Sequence, residues 1–204
     1  SKIKCGECGS WYGSKVWHSN DKYRRVVWQC NHKFDNENKC STPHLDEEKI
    51  KQVFVSAMNK LITSKEQILS DFEQIKDEIF STAEIEIKKT EFENEMKNSA
   101  ELIENCINEN ARVAQNQHEY NERYNRLADR YDKAKANLDE VNRKIADKLV
   151  RKNTIELFMK NLKKQSGAVT EFDESLWFSM VDYVTVNSKE DIRVTFKNGI
   201  TVKI

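Results

Sequence analysis

Four cysteines within the first forty residues limit the fold of this chain more than any other feature. Cys5 and Cys8 form a C-x2-C knuckle, Cys30 follows after 21 residues, and Cys40 after nine more. Thiolates at the first spacing face one ion across a short turn, which suits tetrahedral zinc at about 2.3 Å, with Gly6 and Gly9 easing the knuckle. The second pair spans an excursion, NHKFDNENK, rather than a second tight turn. His32 and His44 are alternative ligands, but Cys5, Cys8, Cys30 and Cys40 already complete a closed four-thiolate site of the structural kind. About 45 residues with few aliphatic side chains bury too little surface to fold unaided, so a metal staple is expected. Cys106 stands apart from this set. The pattern fits a metal site and one spare thiol in a reducing cytoplasm better than a disulfide framework.

Between the cysteine pairs, apolar and polar residues alternate on both sides of a polar SNDK turn, with Val16 and His18 before it and Val26 and Trp28 after it. This predicts a β-hairpin. Lys15, Lys22, Arg24 and Arg25 lie on it, beside His18, Trp17 and Tyr23. A basic ribbon bearing aromatic side chains can enter a DNA major groove. The same charges can equally solvate one face of an ordinary hairpin, and local sequence does not separate the two.

The rest of the chain has a different texture. One proline, five glycines, 33% charged residues and a mean hydropathy of -0.81 describe long solvated helices. The 34 basic and 34 acidic side chains balance overall. Residues 63–119, however, carry six basic and fourteen acidic side chains, and residues 120–164 carry thirteen and seven. Neither a membrane-spanning apolar run nor a signal-peptide core is visible, so a soluble protein is expected.

A helix is predicted from Asp46 as N-cap, with Glu47 and Glu48 in its first turn. Ile50, Phe54, Ala57, Leu61, Ile68, Phe72, Ile75 and Ile79 then recur at 4-3 spacing with a gap at Ser64, giving one helix or two collinear ones that end near residues 81–83. A second run, from Phe92 through Met96, Ser99, Ile103, Cys106 and Asn110 to Val113, makes Cys106 a small core residue. The third is the most regular: Tyr120, Tyr124, Leu127, Tyr131, Ala134, Leu138, Val141 and Ile145 keep a heptad seam. Beyond it the register slips to Leu149, Ile155, Phe158 and Leu162, which implies a new packing partner or a hinge near 148–153. The acidic second run and the basic third favour an antiparallel coiled-coil hairpin with its tip near 110–119. Each arm would reach about 45 Å.

Residues 171–204 predict a short helix from Asp173 and three strands. Asn198-Gly199 reads as a type I′ hairpin turn, placing Ile192, Val194 and Phe196 opposite Ile200, Val202 and Ile204. Strands so few need another surface, and the ribbon at the other end of the chain is the natural one. The expected fold class is α+β: a small zinc-ribbon β domain interrupted by a long antiparallel helical hairpin and closed by a C-terminal β-hairpin. The expected segments are 1–62, 63–166 and 167–204.

This order of parts resembles the C-terminal half of the large serine recombinases, the phage integrases and transposon resolvases. The residues that carry the resemblance are CGECGS with Cys30 and Cys40, the tract ENARVAQNQHEYNERYNRLADRYDKAKANL, and EFDESLWFSMVDYVTV followed by IRVTFKNG. The resemblance implies structural zinc on Cys5, Cys8, Cys30 and Cys40, and attachment-site double-stranded DNA as partner of the ribbon from Lys15 to Arg25. It also implies coiled-coil contacts with other recombinase subunits and a recombination directionality factor acting on the arm. The chain would then be a non-catalytic fragment of a recombinase encoded by a bacterium, phage or mobile element and acting in the cytoplasm, with the serine nucleophile in a separate domain. No phosphate-binding loop or nucleophile with a base is visible here. The competing class is a zinc-ribbon coiled-coil scaffold or transcription adaptor that joins proteins without contacting DNA.

Overall fold

The computed structural model describes residues 1–34 and 39–204, so the excursion expected between Cys30 and Cys40 lies partly outside the described residues. The fold is α+β. Its elements are β1 (Ile3–Cys5), β2 (Tyr12–Trp17), β3 (Arg25–Cys30), β4 (Leu45–Asp46), α1 (Glu47–Thr63), α2 (Lys65–Phe80), α3 (Ala83–Arg112), α4 (Gln117–Lys164), α5 (Glu174–Met180), β5 (Val181–Val186), β6 (Ile192–Phe196) and β7 (Thr201–Lys203). They divide into two compact units, residues 1–74 with 153–204, and residues 75–152. Among the described residues no helix is long and apolar enough to cross a membrane.

The first unit contains two sheets. In the larger, ordered β1-β5-β6-β7, the N-terminal strand lies parallel to β5 and the remaining pairs are antiparallel. Ile3 pairs with Val184 and Cys5 with Val186, and the Val184 N–H donates to the Lys2 carbonyl at 2.7 Å. Period-two alternation explains the face: Ile3 and Cys5 are buried while Lys4 between them is not. The smaller sheet is antiparallel, ordered β2-β3-β4, with Val16 opposite Val26 and Trp17 opposite Arg25.

Helix α1 buries Val53, Phe54, Ala57, Met58 and Leu61, a stripe at helical spacing. The Phe54 ring meets Phe172 and Trp177 edge-on at 5.4 and 5.6 Å. From α4, Ile155, Phe158 and Leu162 enter the same unit, where the Phe158 and Phe196 rings stand 6.2 Å apart. The Asn59 side chain clamps the Val169 backbone, donating to its carbonyl at 2.9 Å and accepting its N–H at 2.8 Å. At α5, Asp173 accepts the Leu176 N–H at 2.7 Å as a true N-cap.

In the second unit α3 and α4 are linked by residues 113–116, and Val113, the last position of the expected α3 run, lies in that link and is 63% exposed. Ser99 and Cys106 on α3 and Ala134 and Val141 on α4 are buried. Arg130 forms a bidentate pair with Glu95, and Arg123 pairs with Glu109 while donating to the Cys106 sulfur at 3.3 Å. The Lys148 ammonium reaches the Ser81 carbonyl.

Of the two alternatives for the first run, the structure has two helices, with Ser64 separating α1 from α2. Several other local expectations are corrected. Asp46 ends β4 and holds the N-cap position of α1, but its side chain makes no capping bond. Ile75 and Ile79 are 44% and 48% exposed, and Leu149, expected to continue the α4 seam, is 49% exposed. Helix α4 runs unbroken through 148–153; its buried face shifts instead, and Ile155, Phe158 and Leu162 carry it. Asn198-Gly199 is not type I′, since only Gly199 has a positive φ, at 91°. The Gly199 N–H bonds to the Phe196 carbonyl at 2.8 Å and the Phe196 N–H to the Ile200 carbonyl at 2.8 Å. That pattern is a longer loop closed by a glycine bulge, which requires φ > 0 once rather than twice.

Candidate metal centre and basic ribbon

The fold brings the four N-terminal cysteines together from three places. Cys5 ends β1, Cys8 lies in the turn that follows, Cys30 ends β3, and Cys40 precedes β4. Their sulfurs all lie within 4.8 Å of one another, with Cys8 and Cys30 at 3.4 Å and Cys30 and Cys40 at 4.0 Å. Four sulfurs at about 2.3 Å around a tetrahedral ion stand about 3.8 Å apart, so this donor set fits zinc. The ion would supply folding energy by cross-linking three segments, and a closed thiolate set leaves no position for a substrate.

Gly9 adopts a φ of 73° and its N–H closes the knuckle on the Cys5 carbonyl at 2.9 Å. Gly6 serves differently: a Cβ there would overlap the Asn187 side chain, so it permits the close approach of the knuckle to the end of β5. The two histidines considered as ligands are engaged elsewhere. His32 Nδ1 lies 2.9 Å from the Ser10 hydroxyl, and the His44 ring tilts on Trp17 at 4.8 Å.

The sulfurs differ as acids. The Ser10 backbone N–H and hydroxyl hold the Cys8 thiol down to about 6, whereas burial and the neighbouring Cys8 sulfur push Cys30 up to about 11. Cys40 is raised as well, chiefly by its hydrogen bond with the Cys8 sulfur and then by burial. Crowded thiols resist losing every proton until a cation neutralises them.

A further shell around the centre was not foreseen from the spacing. Thr42 Oγ1 lies 3.3 Å from Cys5 Sγ, and Glu7 accepts from both the backbone N–H and the hydroxyl of Ser41. Those bonds, the hydroxyl first, hold the Glu7 carboxyl below the usual range. The one signal in the sequence is that each polar residue sits within two positions of a ligand, at positions 7, 41 and 42.

Lys15, His18, Lys22, Tyr23, Arg24 and Arg25 are all exposed on the β2–β3 ribbon and its turn. Lys15 is on β2 and Arg25 begins β3, while His18 lies in the turn with a φ of 54° instead of ending the strand. Asp21 organises that turn, meeting His18 Nδ1 at 3.3 Å and accepting the Tyr23 N–H at 2.6 Å. The Arg25 guanidinium stands 5.2 Å from the Trp17 ring centroid and the Lys22 ammonium 5.2 Å from that of Tyr23. Such stacking restrains two of the cations without removing their charge. The seam residues Tyr120, Tyr124, Leu127, Tyr131, Leu138, Val141 and Ile145 all lie on the less exposed face of α4, with the Tyr120 and Tyr124 rings 6.1 Å apart.

No curated protein and no solved structure matches the chain. Residues 1–59, which hold the four cysteines, the basic ribbon and most of α1, match the family model described as the recombinase zinc beta ribbon domain, and this part of the chain is therefore similar to a recombinase-type zinc ribbon.

Proposed function

We propose that this chain is the DNA-binding, synapsis-regulating C-terminal segment of a serine-type site-specific recombinase. The observation that carries the reading is the recombinase zinc-ribbon match over residues 1–59, which coincides with a four-cysteine cluster of zinc-like dimensions. The ribbon from Lys15 to Arg25 binds attachment-site duplex, its cations meeting phosphates and its strands following the major groove. Helices α3 and α4 form the coiled-coil arm, with a hinge near 81–83, that meets other subunits and takes up a directionality factor. Strand cleavage belongs to a catalytic domain elsewhere in the parent protein.

The test is half-site binding by the zinc-loaded parent as salt is raised. Charge reversal at both Arg24 and Arg25 is expected to weaken binding at least about tenfold and to reduce the salt slope by about two counterions. Unchanged affinity and slope would remove the ribbon from the interface. In the same protein, Tyr124→Asp is expected to block synapsis while half-site binding stays within about twofold. Equal loss of both would make the arm a folding element only.

A further inference from the structure

The three residues after Cys40 are tied down from every side of the metal centre. Ser41 is gripped by the Glu7 carboxylate, which accepts its N–H at 2.7 Å and its hydroxyl as well. The Thr42 carbonyl accepts the Lys33 ammonium at 2.6 Å, and the Pro43 carbonyl accepts the Tyr12 hydroxyl at 2.9 Å. Glu7 lies between the two knuckle cysteines, Tyr12 begins β2, and Lys33 follows β3. Every segment that supplies a ligand therefore also holds this strap. Thr42 itself is 1% exposed, and its hydroxyl oxygen is 3.3 Å from the Cys5 sulfur.

A cysteine bound to a metal is a thiolate without a proton, so the hydrogen between these two atoms belongs to Thr42. Four thiolates around a divalent ion carry a net charge of about -2 in a partly buried site, and a donor aimed at one sulfur withdraws some of it. We propose that Thr42 is a positioning residue of the metal centre: its buried hydroxyl donates to the Cys5 thiolate, and the Glu7–Ser41 clasp keeps it and Cys40 in place. The strap thereby sets how tightly the centre holds its ion. The inference rests on the zinc assignment and adds the residues that tune it.

The experiment uses the full chain loaded with zinc, and with Co²⁺ as a coloured substitute. Thr42→Val keeps the shape and removes the hydroxyl, whereas Thr42→Ser keeps the hydroxyl. Competition with a chromophoric chelator should show about 10–100-fold weaker zinc binding for Thr42→Val. The thiolate-to-Co²⁺ charge-transfer band should move to lower energy, because a sulfur without its donor gives up charge more readily. Thr42→Ser should restore both. Exposed Glu7→Gln, which spares packing, should release zinc faster in excess chelator. Wild-type affinity and band position in Thr42→Val would overturn the proposal, as would equal defects in Thr42→Val and Thr42→Ser. Should Thr42→Val not fold, a wild-type release rate in Glu7→Gln is the overturning result. If the unaltered chain takes up neither metal, the zinc assignment itself fails, an outcome distinct from all of these.

Discussion

Ser10 donates its backbone N–H to the Cys8 sulfur and holds that thiol at about 6, while Cys30, buried beside three other sulfurs, is held at about 11 and Cys40 is raised in the same direction. The consequence for zinc is a proton count. At neutral pH the metal-free chain keeps protons on Cys30 and Cys40, and binding must expel them, so affinity rises with pH. Each expelled proton contributes about tenfold per pH unit, so these two alone give at least about a hundredfold weaker binding from pH 8 to pH 7. Cys8, with its lowered pKa, loses its thiolate only as pH falls through about 6, and a further proton then steepens the dependence. Chelator competition at half-unit steps between pH 5.5 and 8 reads this slope, and a flat profile would contradict the thiol assignments. The same centre shows where sequence reading stops at the residue scale. The ligands were legible because thiol spacing is a local code, whereas Thr42 and Glu7 act through hydrogen bonds spanning 37 and 34 residues, and no periodicity marks those.

At the scale of elements, the heptad of α4 runs in the sequence from Tyr120 to Ile145; along it Ala134 and Val141 are buried and the other positions are half-buried. Periodicity is a strong guide where one helix face meets one continuous partner. It misled at Ile75, Ile79 and Leu149, since an apolar side chain on a seam is buried only where a neighbour covers it. The Asn198-Gly199 pair at the hairpin turn also misled: Asn-Gly suits two turn types, and loop length decides between them. Ser99 presents the reverse case, a polar residue on the α3 seam. It is fully buried, and its hydroxyl has no hydrogen-bond partner among the described residues. An unsatisfied buried hydroxyl costs about 1–3 kcal/mol, and Ala supplies the same backbone with better helix propensity. Ser99→Ala is therefore expected to stabilise the unit of residues 75–152 by about 1 kcal/mol or more, seen as a higher urea midpoint in the helical signal. A destabilised variant would show that the hydroxyl has a partner in solution.

For the molecule as a whole, the decisive pairing is between its first and last strands. β1 lies parallel to β5, so the strand that carries Cys5 is also an edge of the C-terminal sheet. Complementary strands at the two ends suggested this association, but its parallel sense and register are properties of tertiary packing that three residues cannot encode alone. The arrangement makes the effect of metal removal unequal. Residues 1–46 contain few large aliphatic side chains, and the sulfur cluster joins β1, β3 and the strap after Cys40. The rest of that unit has its own core, in which Phe54, Met58, Leu61, Phe158, Leu162, Met180 and Phe196 pack without help from a cysteine. Stripping zinc with a strong chelator should therefore release amide protection in β2 and β3 nearly to the level of an open chain. β5, β6 and α1 should keep theirs, and α3 and α4 should not change. β1 is the informative strand, because it is held both by the centre and by Val184 and Val186. Partial protection there is expected, lower than in β5 and higher than in β2. Hydrogen exchange read peptide by peptide, before and after chelation and again after zinc is restored, measures all of these in one series. Loss of protection in β5 and β6 together with β2 would make the metal the keystone of both sheets, whereas no loss in β2 and β3 would mean that the ribbon folds without it.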